Sequence, residues 1–168
     1  MDSSMLRALQ APLRERYRDD PDAALTPVSA AGTFLDDGVT CTVAGFAGAV
    51  RAGLHPATGG DGSDACSGDL LLEAVLACAG VTLRSVATAM GVDLGAVSLR
   101  ADATFDARGT LGLDRSVPVG IQDLVVTVEV TGDVDDAALE RLARSTERYC
   151  VVGQSLREPP RIVVRRTT

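Results

Sequence analysis

Four cysteines, Cys41, Cys66, Cys78 and Cys150, and one histidine, His55, carry most of the chemical potential of this chain. All sixteen basic residues are arginine, so lysine Schiff-base chemistry is excluded, and a single histidine excludes any mechanism that needs two. Cys78 falls in the middle of a long apolar run, where a free cysteine ordinarily serves as a small core hydrophobe. Cys150 follows Glu147, Arg148 and Tyr149, close to where a new helical turn should begin. A helix N-terminus and a neighbouring guanidinium both favour thiolate over thiol. Nothing in the spacing says that Cys78 and Cys150 meet. If they do, one thiolate can attack a peroxide oxygen and become a sulfenic acid. The other thiol then condenses with it to a disulfide that a reductant reopens.

Competing uses of these residues are weaker. Structural zinc needs four ligands at recognisable spacing, and no two of the cysteines lie within three positions of each other. The segment Gly59–Asp69, GGDGSDACSGD, lacks the Gly-Lys-Ser/Thr ending of a phosphate loop and the spacing of a dinucleotide fingerprint. Its expected work is to turn the backbone and start the following helix, with Ser67 as a cap and Asp69 near the positive helix end. No nucleophile-elbow motif supports a serine hydrolase. His55 is either a hydrogen-bonded structural residue or the general base of a thiol-dependent hydrolase or transferase.

These residues need a scaffold, and the composition limits what it can be. At 168 residues and 17.3 kDa one domain is expected, and with 46% hydrophobic but only 3% aromatic residues its core must be Ala, Val and Leu. A formal charge of −7 disfavours the phosphate backbone. The basic clusters Arg14, Arg16, Arg18 and Arg161, Arg165, Arg166 are short and lack interleaved aromatics, so no nucleic-acid partner is expected. The apolar run Leu70–Leu83, interrupted by Glu73, is read as too short for a bilayer, and Met1–Gln10 has no signal-peptide pattern. The expected setting is the cytoplasm, away from membranes, where thiols stay reduced.

The periodicity predicts the following order. A short helix starts with Pro12 in its first turn and ends at Asp19-Asp20-Pro21. Strands follow at Val28–Leu35, around Val39–Val43 after an Asp36-Asp37-Gly38 hairpin turn that uses positive φ at Gly38, and at Ala49–Leu54. A glycine-rich loop from His55 to Gly68 leads into a helix over Asp69–Met90, apolar on all sides and so buried by several neighbours, ending at Gly91. A half-buried strand at Val97–Phe105, a loop at Arg108–Gly120, a strand at Leu124–Val130, helices through Leu139–Ala143 and Tyr149–Leu156, and an edge strand at Arg161–Arg166 complete the chain. The class is α+β, with an antiparallel sheet covered by helices.

Two stretches resemble the OsmC/Ohr family, the osmotically inducible and organic-hydroperoxide-resistance proteins. One is Ser67-Gly68-Asp69-Leu70-Leu71-Leu72-Glu73-Ala74-Val75-Leu76-Ala77-Cys78. The other is Glu147-Arg148-Tyr149-Cys150-Val151-Val152-Gly153-Gln154-Ser155-Leu156. They occur in family order, and the resemblance covers about residues 28–167, leaving residues 1–27 as an N-terminal helical extension and 28–168 as the main domain. It implies an interlaced α+β homodimer, with long central helices between bent antiparallel sheets. It also implies a peroxidase of the oxidative-stress response in which Cys78 attacks the peroxide and Cys150 resolves it. Asp69, Glu73, His55 and Cys66 are possible supporting residues, an external dithiol is the reductant, and no bound cofactor or metal is needed. The organic-peroxide branch also uses an arginine from an early turn and a glutamate ten residues before the attacking cysteine. Here the early turn is Asp36-Asp37-Gly38, the tenth residue back is Gly68 and the acid Asp69 is nine back, while Arg51 and Arg84 are the cations that could stand in. The alternative reading is a non-catalytic dimeric binding protein of the same fold with an apolar interfacial pocket.

Overall fold

The computed structural model describes residues 1–46 and 48–167; Ala47 and Thr168, both inside the predicted main domain, lie outside the described residues. The elements run α1 (Ser3–Asp19), β1 (Ala31–Thr33), β2 (Cys41–Gly45), β3 (Gly48–Gly53), β4 (Ala65–Cys66), α2 (Ser67–Met90), β5 (Val97–Thr104), α3 (Ala107–Thr110), β6 (Gln122–Val130), α4 (Asp136–Tyr149), α5 (Val151–Gln154) and β7 (Arg161–Arg166). They form two compact units. The first holds Met1–Pro27, Val75–Ala101 and Val125–Thr168; the second holds Val28–Ala74 and Asp102–Leu124.

In the first unit, α1 begins much earlier than its sequence suggests. The Asp2 carboxylate accepts the N–H groups of Ser4 and Met5, both at 2.9 Å, and this cap fixes the start. Pro12 therefore sits inside the helix, where it lacks the N–H that would reach the Ala8 carbonyl. The helix stops before Pro21, as expected.

Within this unit α2 contributes a single buried stripe, Val75, Ala79, Leu83 and Ala87, repeating every four residues. The expectation of burial on all sides is not met within one chain: Val81 is 73% exposed. The helix has 24 residues and an 18-residue window of mean hydropathy 1.7, so by length and composition alone it could cross a membrane. The reading of Leu70–Leu83 as too short missed the apolar turn that continues past Arg84. What the stripe packs on here is protein: a Cβ at Gly80 would meet the Leu99 side chain of β5 at 3.4 Å. Gly91, at φ +67°, ends the helix, a left-handed position that glycine takes without steric cost.

Strands β5, β6 and β7 form one sheet in that order. Residues along β5 alternate between half-buried and exposed, as predicted. Val126, Val128 and Val130 of β6 are buried, and with Leu139 and Leu142 of α4 and Ile162 of β7 they complete the core of the unit. The pairing of β6 with β7 is parallel, Val126 opposite Ile162 and Val130 opposite Arg166. An antiparallel pairing was expected, but the chain between these strands contains α4 and α5 and returns to the end of the sheet from which β6 started. Arg166 donates to the Val134 carbonyl and to Asp136, at 2.5 and 2.8 Å, fastening the end of β7 to the start of α4.

In the second unit, β1–β4 form a sheet in chain order, with β3 and β4 parallel and the other pairings antiparallel. The strand expected over Val28–Leu35 shrinks to β1, because pairing with β2 extends only from Ala31 to Thr33. The following turn is made by the Asp36 carboxylate, which accepts the Gly38 N–H at 2.9 Å and the Thr40 hydroxyl at 2.8 Å. Gly38 is not in the left-handed region. The stretch expected as a loop after Arg108 opens with the single-turn α3, capped by Asp106.

Candidate functional site

The first unit brings Cys78 and Cys150 together. Cys78 comes from the middle of α2, one position before Ala79 in the buried stripe, and is half-buried. Cys150 occupies the corner where α4 ends and α5 begins, and is 1% exposed. Its own N–H donates to the Thr146 carbonyl at 2.9 Å, closing α4. Its sulfur accepts the Gly153 N–H at 3.4 Å, opening α5. One residue is thus the cap of two helices, which explains why the chain can reverse there with few polar groups unpaired.

The corner points its donors at the other cysteine. Burial pushes the Cys78 thiol up, but hydrogen bonds from the Val152 N–H, the Cys150 thiol, the Thr82 hydroxyl and the Val151 N–H outweigh it, and the thiol lies below its ordinary value. None of these groups is a cation. Burial raises the Cys150 thiol, and its interaction with Cys78 adds to that despite the Gly153 N–H. The two directions are opposite: the surrounding donors favour the ionised form of Cys78, while burial and Cys78 favour the neutral form of Cys150.

Several neighbours hold the corner. Thr146 is fully buried and donates to the Leu142 carbonyl at 2.7 Å. A Cβ on Gly153 would lie 3.2 Å from Pro160 and 3.3 Å from the Cys150 sulfur, so glycine allows the close approach. The Gln154 amide donates to the Glu147 carbonyl at 2.7 Å, and the Glu147 carboxylate accepts the Ile162 N–H at 2.8 Å. Thr82 also lines a groove of about 470 Å3 with Val81, Val86, Tyr149 and, from α1, Leu6 and Arg14.

The other residues singled out from the sequence lie in the second unit. The His55 Nδ1 accepts the Ala57 N–H at 3.0 Å, capping a short turn at Pro56–Thr58, and the ring stands edge-on to Phe105 at 5.2 Å. That is the structural reading of this histidine. Cys66 is half-buried in β4, opposite Gly53. Asp69 and Glu73 are exposed on the first turns of α2. Arg51 is held between Asp36 and Asp64, at 3.2 Å from each. Arg84, in the first unit, lines a separate cavity beside Met1, Asp2 and Ser3. No group of three or more His, Cys, Asp or Glu among the described residues is arranged to hold a metal ion.

Sequence reasoning missed Thr82 and the Val151 and Val152 peptide groups. Thr82 carried a usable signal, since it is four residues after Cys78 and so on the same helix face. The peptide groups carried none in their side chains.

The sequence model described as OsmC-like protein matches residues 60–165. No curated protein matches the chain. Among solved structures, an organic hydroperoxide resistance protein from Elizabethkingia anophelis superposes with a TM-score of 0.66 at 14% identity, over 86% of this chain and 98% of that one. An OsmC-like protein of unknown function from Vibrio cholerae gives 0.66 at 12% identity, over 85% and 100%. An organic hydroperoxide resistance protein OsmC from Legionella pneumophila, also described as a predicted redox protein, gives 0.61 at 19% identity, over 86% and 99%. At these identities the likeness is one of fold.

Proposed function

Because this chain belongs to the OsmC-like protein family, we propose that it is a two-thiol peroxidase in which Cys78 is the attacking thiolate and Cys150 the resolving thiol. The observation that carries this reading is the hydrogen-bonded pair itself, with the half-buried member depressed and the buried member raised in pKa. The Cys78 thiolate attacks one peroxide oxygen; the S–O bond forms as the O–O bond breaks, and the departing alkoxide takes a proton to leave as an alcohol. Cys150 then attacks the sulfenic acid, forming the disulfide and releasing water. An external dithiol returns both sulfurs to thiols and is itself oxidised to a disulfide. No bound cofactor or metal takes part, and the cycle suits a compartment that supplies reduced thiols, such as the cytoplasm.

The missing early arginine is offset in this reading by the two peptide N–H groups and the Thr82 hydroxyl. Such donors favour thiolate without a formal charge. The groove bordered by Thr82, Val81 and Val86 suits an organic hydroperoxide with an apolar group. Each unit leaves apolar side chains exposed that a second copy of the chain would cover: Val81 on α2 in the first, and Phe34, Leu35 and Val39 in the second. The working form is therefore a homodimer.

The test is single-turnover thiol loss with tert-butyl hydroperoxide or hydrogen peroxide on wild type, Cys78→Ser and Cys150→Ser. Wild type should lose two thiols per chain, Cys150→Ser should stop at an oxidised Cys78, and Cys78→Ser should lose none quickly. Wild-type loss no faster than that of the denatured chain would overturn the reading and favour the binding-protein alternative.

A further inference from the structure

We propose that Glu147 is a positioning residue: it ties the Cys150 corner to the start of β7, and so holds the Val151 and Val152 peptide groups against Cys78. Its purpose rests on the two-thiol reading above, while its geometry stands on its own contacts.

Strand β7 is an edge strand, so an N–H directed away from β6 has no ladder partner. The Ile162 N–H is met by the Glu147 carboxylate at 2.8 Å, across fifteen residues of chain. Ile162 itself is buried and pairs with Val126, so the strand end offered to Glu147 is anchored in the core. Glu147 lies three residues before Cys150, in the last turn of α4. Its main-chain carbonyl takes the Gln154 side-chain amide at 2.7 Å, and Gln154 is the last residue of α5. Pro160 abuts Gly153 from the same strand approach. The end of α4, all of α5 and the start of β7 are thus closed into one small frame through a single glutamate.

That frame contains the corner groups that lower the Cys78 thiol: the Val152 and Val151 N–H groups and the Cys150 thiol, to which Thr82 adds from α2 itself. A helix of four residues has little stability of its own, so its orientation depends on what fastens its two ends. Removing the carboxylate frees one fastening and leaves the Ile162 N–H without a partner.

The experiment compares Glu147→Ala with Glu147→Gln in the full chain. Both remove the charge, but only glutamine keeps a side-chain oxygen that can accept the Ile162 N–H. The readout is the pH dependence of Cys78 alkylation by iodoacetamide, resolved by peptide mass spectrometry. At a pH below the midpoint, Glu147→Ala should be alkylated about three- to tenfold more slowly than Glu147→Gln, since one pKa unit changes the thiolate fraction about tenfold. Circular dichroism checks that each variant folds. Should Glu147→Ala fail to fold, Gln154→Ala, at an exposed side chain, should show a smaller shift in the same direction from wild type. Equal midpoints for the two Glu147 variants overturn the proposal; if only Gln154→Ala is folded, a midpoint equal to wild type does so. Peroxide-driven disulfide formation is read on wild type in parallel. If wild type forms none, the peroxidase reading fails, while the alkylation comparison still decides what Glu147 does.

Discussion

Every buried side chain among the described residues belongs to the unit that holds the thiol pair; the unit built on β1–β4 has none. Both draw on the same palette of Ala, Val, Leu and Gly. What separates them is element length. Besides α1, which buries no side chain, the first unit has the 14-residue α4, most of the 24-residue α2 and a sheet with strands of up to nine residues, so the apolar stripes of α2, α4 and β6 are buried. The second has strands of two to six residues joined by turns and glycine-rich loops, too short to close a core. Its large apolar side chains face outward, with Phe34 at 79% exposure. Among the described residues, the donors that lower a thiol belong to the packed unit.

The largest expected effect that sharpens this contrast is on stability. Leu142→Ala empties a fully buried site on α4 and should cost about 2–5 kcal/mol in urea unfolding. Phe34→Ala, its counterpart in the second unit, should change the stability of a dilute monomer by no more than about 0.5 kcal/mol. It should instead weaken self-association in sedimentation velocity. Equal destabilisation by both at every concentration would mean that the second unit has a core of its own.

Next in size is the difference between the thiols. As pH rises, Cys78 should reach half-maximal alkylation below the ordinary thiol range, because its ionised form is the one stabilised. Cys150 should react only above that range, because burial and its partner favour the neutral form. With peroxide, Cys41→Ser and Cys66→Ser should form the Cys78–Cys150 disulfide at the wild-type rate, followed by mass spectrometry. A marked slowing in either would connect the second unit to the thiol chemistry.

The smallest contrast is between two caps. The Asp135 carboxylate accepts the Ala138 N–H at 2.7 Å at the start of α4, so Asp135→Ala should lower stability by about 1 kcal/mol. His55→Ala removes the cap of a three-residue turn and should cost less than about 0.5 kcal/mol. The Cys78 pH profile should not move with His55→Ala. A displaced profile would revive the histidine as a base.

The pairing of Cys78 with Cys150 was suggested by family order and not by their spacing, while some long elements were legible because period-two and helical patterns ran far enough to be read. Strand β5 and helix α4 show this well. Short elements were harder, and so was the start of the 17-residue α1. Pro12 looked like a helix start because the signal of a proline is strong, whereas the real start depended on one aspartate, Asp2, whose capping role needs a structure to see. The parallel run of β7 was hidden because its residues would suit either direction; the decision lay in where α4 and α5 leave the chain. The donors around Cys78 were hidden for a different reason: peptide N–H groups have no letter in a sequence.

The double cap at Cys150 links covalent state to local order. Its sulfur holds the Gly153 amide in place while it is a thiol. In the disulfide proposed above, that sulfur would be a poorer acceptor, and the Gly153 amide would lose its partner. Gly153 is therefore a natural reporter: the exchange of a single backbone hydrogen with solvent, and its amide resonance, would record whether the protein is reduced or oxidised.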